Sequence, residues 1–431
     1  MIGSGSFTNA TLLPPILEIY VVWHPLDRTG RDLAQAMVNH FQGSTFAGLV
    51  GGAVEVYVRS AGWQSAQDAP RPIPFPTAGP AARQRPPHAV LTAVVPVLDV
   101  ELAAAVQPGA GPWHDYLTGI VRAHQDDPAR VAVFPIVTSP AAAEETELGR
   151  ILQDFHAIGR GHLVTAQETA EERYRVWSRD LAQGITQYLG GAPDDRLTVF
   201  ISHSTKVDPR GNGGDGGITA RVRAIVANTP LAKFFSTTDL QPGRNWSREL
   251  TERARSSALL AIRTSTYASR PWCQREMLIA KTAGMPIVVL DALDQHEERG
   301  SFLMDHVPRV RVRRDAQGWH DADIVAGLNL LVDECLKRTL WQRQGDLAGV
   351  DALAPATWWA PHAPEPVTLV AWLHAQLDAA ALPPDGPIRI IHPDPPIGPD
   401  EYSVLDQIVR LGGLPNQLDV VTPRLLATRA A

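Results

Sequence analysis

Trp272 and Glu276 lie four residues apart in the stretch SRPWCQRE (residues 269–276), so a helix beginning near Pro271 carries both on one face. Ser269 is the expected N-cap of that helix, and Pro271 falls in its first turn. The helix follows an apolar strand, SALLAIR (Ser257–Arg263), the third of its block. The first strand, LTVFIS, starts at Leu197 and ends in Ser202, with His203 and Ser204 just beyond it. The loop after the second strand, TDLQPGRNW, adds Asp239, Arg244 and Trp246. In an open parallel sheet of order 2-1-3-4-5, the ligand crevice lies at the carboxyl ends of strands one and three, where the connections diverge. The pattern therefore directs a carboxylate and an aromatic ring toward one crevice, where a carboxylate can stabilise developing positive charge.

The elements that must hold these residues follow from composition and periodicity. The chain has 431 residues, 44% of them hydrophobic and 20% charged. That composition suits buried cores and excludes wholesale disorder, and the length suits about three domains. In residues 197–348 strands alternate with helices: LTVFIS, helix ITARVRAIVAN, strand KFFST, helix SRELTERAR, SALLAIR, the helix at Pro271, PIVVLDA, a short PRVRVR strand and a helix over Ile324–Leu340. Such alternation predicts a parallel sheet covered on both faces.

Residues 16–190 repeat the scheme, with strands at Leu17–Trp23, Val54–Ser60, AVLTAVVPVL and Val131–Val137. A helix carries Leu33, Met37 and Phe41 at helical spacing, and another spans Trp113–His124. A closing helix carries the stripe Trp177, Leu181, Ile185 and Leu189, and the Pro-dense stretch Ala61–Pro87 reads as a surface excursion. The linker GGAPDDR (Gly190–Arg196) separates the two blocks. Residues 361–431 hold two helices and two strands, too few for confident independence, and are expected to dock on the second block.

The formal net charge of -7 gives no global basic field for nucleic acid. Two cysteines, Cys273 and Cys335, make neither a disulfide framework nor a cysteine-based zinc site, which favours the cytoplasm. The longest apolar stretch, His88–Val106, is broken by Pro96, Asp99 and Glu101 and does not suit a membrane span. The first residues lack a basic region and a cleavage site, so no signal peptide is expected.

The second block resembles a Toll/interleukin-1 receptor (TIR) domain of the bacterial type. VFISHS matches the first-strand motif, DLQPGRNW the loop after the second strand, and YASRPWCQRE the helix with the Trp-Cys-x-x-Glu signature, in order over about 150 residues. The resemblance implies a flavodoxin-like α/β domain over 197–348, preceded by a degenerate TIR-like α/β domain over 16–190 and followed by a small α/β extension. Competent members cleave NAD at the nicotinamide–ribose bond, and the resemblance puts their catalytic glutamate on Glu276. It makes Ser202, His203, Ser204, Asp239, Arg244, Trp246 and Trp272 the candidate substrate-binding residues. NAD is then the substrate, with no cofactor and no metal. Nicotinamide leaves NAD as a neutral molecule, so one carboxylate suffices where ordinary glycosidases use two. Trp246 and His203 could stack on nicotinamide or adenine. Trp272 and Cys273 also suit packing against the sheet, and a glutamate on an amphipathic helix is ordinarily solvated.

Other signals weigh less. Gly211–Gly216 fits G-x-G-x-x-G and Asp239 follows it, but TKVDPR separates it from the strand end, which a dinucleotide fingerprint would not allow. Aligning Trp113 with Trp272 puts Leu117 where Glu276 stands, so the first block would lack the carboxylate. His24, Asp27, His114 and Asp115 have no metal-ligand spacing and are expected to be surface polar residues. His392 and Asp394 are expected in a rigid turn, with Pro399 or Asp400 opening a helix. The expected function is an NAD glycohydrolase of the kind that serves bacterial anti-phage defence, activated by TIR self-association, an activating partner or a signalling nucleotide. The alternative is a non-catalytic TIR adaptor, and a third reading makes the first block a nucleotide sensor.

Overall fold

The structure is a computed structural model that describes residues 15–46, 49, 54–62, 68–75, 88–109, 111–159, 169–191, 197–204, 217–229, 231–235, 257–293, 300–349, 357–382, 386–415 and 417–430. The chain is α/β with parallel sheets and forms two compact units. One comprises Met1–Gly191, Thr339–Asp351 and Pro423–Ala431; the other comprises Ala192–Arg338 and Ala352–Thr422.

The first unit has strands β1 (Leu17–Val22), β2 (Val54–Arg59), β3 (Leu91–Leu98), β4 (Val131–Val133) and β5 (Ile136–Val137). Their order is β2-β1-β3-β4, with β5 also on β3, and every pairing is parallel. Where one strand was expected over Val131–Val137, Phe134 and Pro135 separate β4 from β5. Proline has no N–H to give a ladder, and the Pro135 carbonyl instead accepts from the Ile158 amide at 2.7 Å. Helices α1 (Arg28–Phe41), α2 (Val100–Ala105), α3 (Pro112–Asp126), α4 (Pro140–Ala143), α5 (Glu147–Ile151) and α6 (Ala170–Gly190) complete the unit's own sequence. α1 buries Leu33, Met37 and Phe41, and α6 buries Trp177, Leu181, Ile185 and Leu189, one stripe each. Of the stretch expected as a surface excursion, Ile73 is buried in the core beneath β1 and β3.

The second unit has strands β6 (Thr198–His203), β7 (Ala232–Phe235), β8 (Ser257–Arg263), β9 (Ile287–Asp291) and β10 (Arg309–Arg311). They form one parallel sheet in the order β10-β9-β8-β6-β7, which is 2-1-3-4-5 read from its other edge. Helix α7 (Ile218–Ala227) joins β6 to β7, and α8 (Pro271–Thr282) follows β8. A hairpin of β11 (Arg314–Asp315) and β12 (Gly318–Trp319) leads into α9 (Asp321–Ala348). This helix runs beyond the expected Ile324–Leu340 because nothing breaks it before Gly349, whose φ of 66° suits a left-handed stop. Gly327 lets α9 approach the sheet, since a Cβ there would collide with Leu290.

A third sheet belongs to the same unit. Strands β13 (Thr357–Trp359), β14 (Ile388–Ile391) and β15 (Leu418–Val421) run parallel in that order, connected through α10 (Pro366–Asp378) and α11 (Pro399–Leu411). It begins at Thr357, earlier than the expected 361, because Trp358 and its neighbours pair with β14. The last helix, α12 (Pro423–Ala430), belongs to the first unit. Among the described residues no helix is long and apolar enough to cross a membrane.

Candidate active site

The alternation of β6 places Phe200 and Ser202 on one face of the strand. Phe200 belongs to the core cluster that includes Cys273, Met277 and Ala280 of α8, so Ser202 lies on the face covered by that helix. The helix buries Cys273, Glu276, Met277, Ala280 and Lys281, an inward stripe at spacings of three and four. Three of those five side chains are ionisable, Cys273, Glu276 and Lys281. A glutamate on an amphipathic helix is ordinarily solvated, yet Glu276 is 0% exposed. A carboxylate held away from water needs donors, and Ser202 Oγ donates to Glu276 Oε2.

Residues 264–270, between β8 and α8, complete the arrangement. Tyr267 N donates to the Thr264 carbonyl at 3.0 Å, and Arg270 N donates to the Tyr267 carbonyl at 3.1 Å. This turn buries Tyr267 and sets its hydroxyl 2.7 Å from Ser202 Oγ. Burial drives the Tyr267 phenol well above its ordinary value, so it keeps its proton. Alongside, Thr266 Oγ1 donates to Ser204 Oγ at 3.0 Å, and Cys273 Sγ donates to the His203 carbonyl at 3.6 Å. Burial, helped by the charge of Glu276, pushes the Cys273 thiol up to about 12. Burial and the nearby Arg223 lower His203, which favours a neutral imidazole. The carboxyl ends of strands one and three of this sheet are thus stitched together by hydroxyl groups around one buried carboxylate.

Of the residues expected at the site, Ser202 touches Glu276, Ser204 reaches the turn after β8, and His203 closes β6. Trp272 does not pack into the core as Cys273 does. It sits one turn before Glu276 and is 39% exposed, while the adjacent Cys273 is buried. Ser269 does not cap the helix: the N-cap is Arg270, without a side-chain cap bond, and Ser269 Oγ donates to the Thr266 carbonyl. Asp239, Arg244, Trp246, the SRELTERAR helix and the glycines of Gly211–Gly216 lie outside the described residues. Tyr267 and Thr266 were missed from the sequence, since a tyrosine in a turn reads as ordinary core. The signal available was its position between the strand-three end and the Trp-Cys-x-x-Glu helix.

At the equivalent place in the first unit, α3 opens with Pro112 and Trp113, as α8 opens with Pro271 and Trp272. Leu117 is fully buried in an apolar cluster there. His24 and Asp27, expected at the surface, are 9% and 7% exposed. Asp27 is the N-cap of α1 and accepts from the Gly30 amide at 2.8 Å, which is why it goes inside. His24 lies beside the buried Trp113, ring centroids 5.6 Å apart. Among the described residues no group of three or more His, Cys, Asp or Glu side chains is arranged to hold a metal ion. In the third sheet His392 follows β14, fully buried, with Nδ1 donating to the Pro393 carbonyl at 2.8 Å, and α11 starts at Pro399.

No protein-family model matches the chain, and no curated protein matches it. Among solved structures it is similar to a Silicibacter pomeroyi protein described as a phosphosugar isomerase, at 11% identity and a TM-score of 0.19, over 78% of this chain and 89% of that one. It is also similar to tagatose-6-phosphate ketose/aldose isomerase from Escherichia coli, at 12% identity and a TM-score of 0.18, over 76% of this chain and 84% of that one. Likeness at these scores carries no argument about activity.

Proposed function

We propose that residues 197–348 are a TIR-type domain that cleaves NAD at the nicotinamide–ribose bond, with Glu276 as the catalytic carboxylate. The observation that supports this most is the burial of Glu276 at the carboxyl ends of strands one and three, where open α/β sheets bind ligands. A carboxylate removed from water interacts more strongly with a developing cation than a solvated one does. In the reaction the C1′–N bond breaks and its electron pair goes to the pyridinium nitrogen, releasing neutral nicotinamide. The oxocarbenium-like ribosyl centre is stabilised by Glu276 and captured by water, which loses a proton, or by a nitrogen of the adenine ring to give a cyclic product. Ser202 holds the carboxylate in place, and the exposed Trp272 ring offers a face for a flat heterocycle.

The leaving group makes a sharp test. NADH lacks the cationic ring, so its nicotinamide cannot depart as a neutral molecule without prior protonation. Purified protein should release nicotinamide from NAD and leave NADH intact, and Glu276→Gln should lower release by at least about 10²–10³-fold. Full release by Glu276→Gln would overturn Glu276 as the catalytic carboxylate, whereas a Glu276→Gln protein that keeps full biological activity would turn the reading toward the adaptor alternative, in which Glu276 serves only the core.

A further inference from the structure

We infer that Tyr267 is a positioning residue that acts through Ser202 to orient the Glu276 carboxylate and favour its anionic form. Three groups stand in line: the phenol of Tyr267, the hydroxyl of Ser202 and the carboxylate of Glu276. Ser202 has one hydrogen, and it is given to Glu276 Oε2. The 2.7 Å contact with Tyr267 must then be filled by the tyrosine proton. In this direction every hydrogen of the chain has an acceptor, and the negative charge sits at the end where catalysis needs it. Reversing the chain would require a protonated Glu276 giving to Ser202 and Ser202 giving to Tyr267. The phenol hydrogen would then have to turn away from Ser202, the hydrogen-bond partner of the Tyr267 hydroxyl among the described residues, inside a fully buried site.

Tyr267 keeps its proton because burial opposes phenolate formation, so it donates throughout the working pH range. Hydrogen bonds in series polarise one another, so removing the outer one weakens the inner one. The tyrosine ring also belongs to the core packed against α8, which fixes where its hydroxyl stands. Tyr267 itself need touch no substrate.

The catalytic part of this inference rests on the function proposed above; the effect on the carboxylate does not. Full-length Tyr267→Phe keeps the ring and loses only the hydroxyl, and Ser202→Ala removes the middle link. Glutamate labelled with carbon-13 at its carboxyl, with the Glu276 signal identified by its loss in Glu276→Gln, reports the titration of that group directly. Glu276 should titrate at higher pH in Tyr267→Phe than in wild type, and higher still in Ser202→Ala. In the NAD assay, Tyr267→Phe should lower kcat about 3–10-fold, keep KM within about twofold and move the acid limb to higher pH. An unchanged Glu276 titration in Tyr267→Phe overturns the inference. A shifted titration in a protein that never releases nicotinamide supports the inference and overturns the proposed function. Glu276-dependent cleavage with an unchanged acid limb in Tyr267→Phe does the reverse.

Discussion

Glu276 occupies a position that ordinary packing would give to an apolar side chain. Its neighbours on the inward stripe are Cys273, Met277 and Ala280, all in the core. The Trp-Cys-x-x-Glu spacing and the end of the first strand were legible because helical and strand periods are simple. The depth of Glu276 was not, since burial depends on Ser202 and Tyr267 arriving from other parts of the chain. The same packing governs Cys273, whose thiol is held up to about 12. Native protein at pH 8 should therefore leave Cys273 unalkylated by iodoacetamide over the time in which denatured protein reacts fully. Mass spectrometry of the Cys273 peptide checks this, and rapid native labelling would contradict the packing. His392 makes a pH prediction. Burial lowers its basicity below the ordinary value of 6.5, so the folded state favours the neutral ring. Its contribution to stability is complete above about 6.5 and is lost as pH falls through that value, because the unfolded chain takes up the proton first. His392→Gln should lose less Tm between pH 7 and 5.5 than wild type does; an equal loss would contradict this.

At the scale of elements, α8 carries two devices. Its first half holds Glu276, and its last turn holds Lys281, whose Nζ donates to the Asp305 carbonyl at 2.7 Å and pairs with Glu365 Oε1 at 2.8 Å. Glu365 is the N-cap of α10, so the helix bearing the candidate carboxylate is bolted to the helix that connects β13 to β14. Nearby Gly284 has a φ of 65°, and a Cβ there would come within 2.9 Å of Pro361 Cγ. The Lys281–Glu365 pair is almost wholly buried. Removing one partner, as in Lys281→Met, should cost about 3–5 kcal/mol, while Lys281→Met with Glu365→Leu should recover much of it. Urea unfolding of Lys281→Met, Glu365→Leu and the double variant checks this, and a double variant as unstable as the sum of the singles would contradict it. The alternation predicting strands and helices was legible over the two larger parallel sheets, because buried strands are written as apolar runs. The split between β4 and β5 and the start of the third sheet at Thr357 were less so. The first turns on one Pro135, and the second on a pairing partner about thirty residues later in the chain.

Across the whole molecule, the two larger sheets follow related orders, β2-β1-β3-β4 and β7-β6-β8-β9-β10, and each has between its third and fourth strands a helix that opens with Pro-Trp. They differ where chemistry would be done: Leu117 is in an apolar cluster of the first, and Glu276 is buried beside Ser202 in the second. On this account the first unit does not perform the cleavage, and Leu117→Glu alone should not confer it, since the replacement would bury a charge in an apolar cluster. Self-association, expected from the TIR resemblance, would appear as specific activity that rises with protein concentration. The most direct measurement is nicotinamide release from NAD by concentrated full-length protein, wild type beside Glu276→Gln. The account predicts release by wild type and a fall of at least about 10²-fold in the variant; release that the variant retains in full would contradict it.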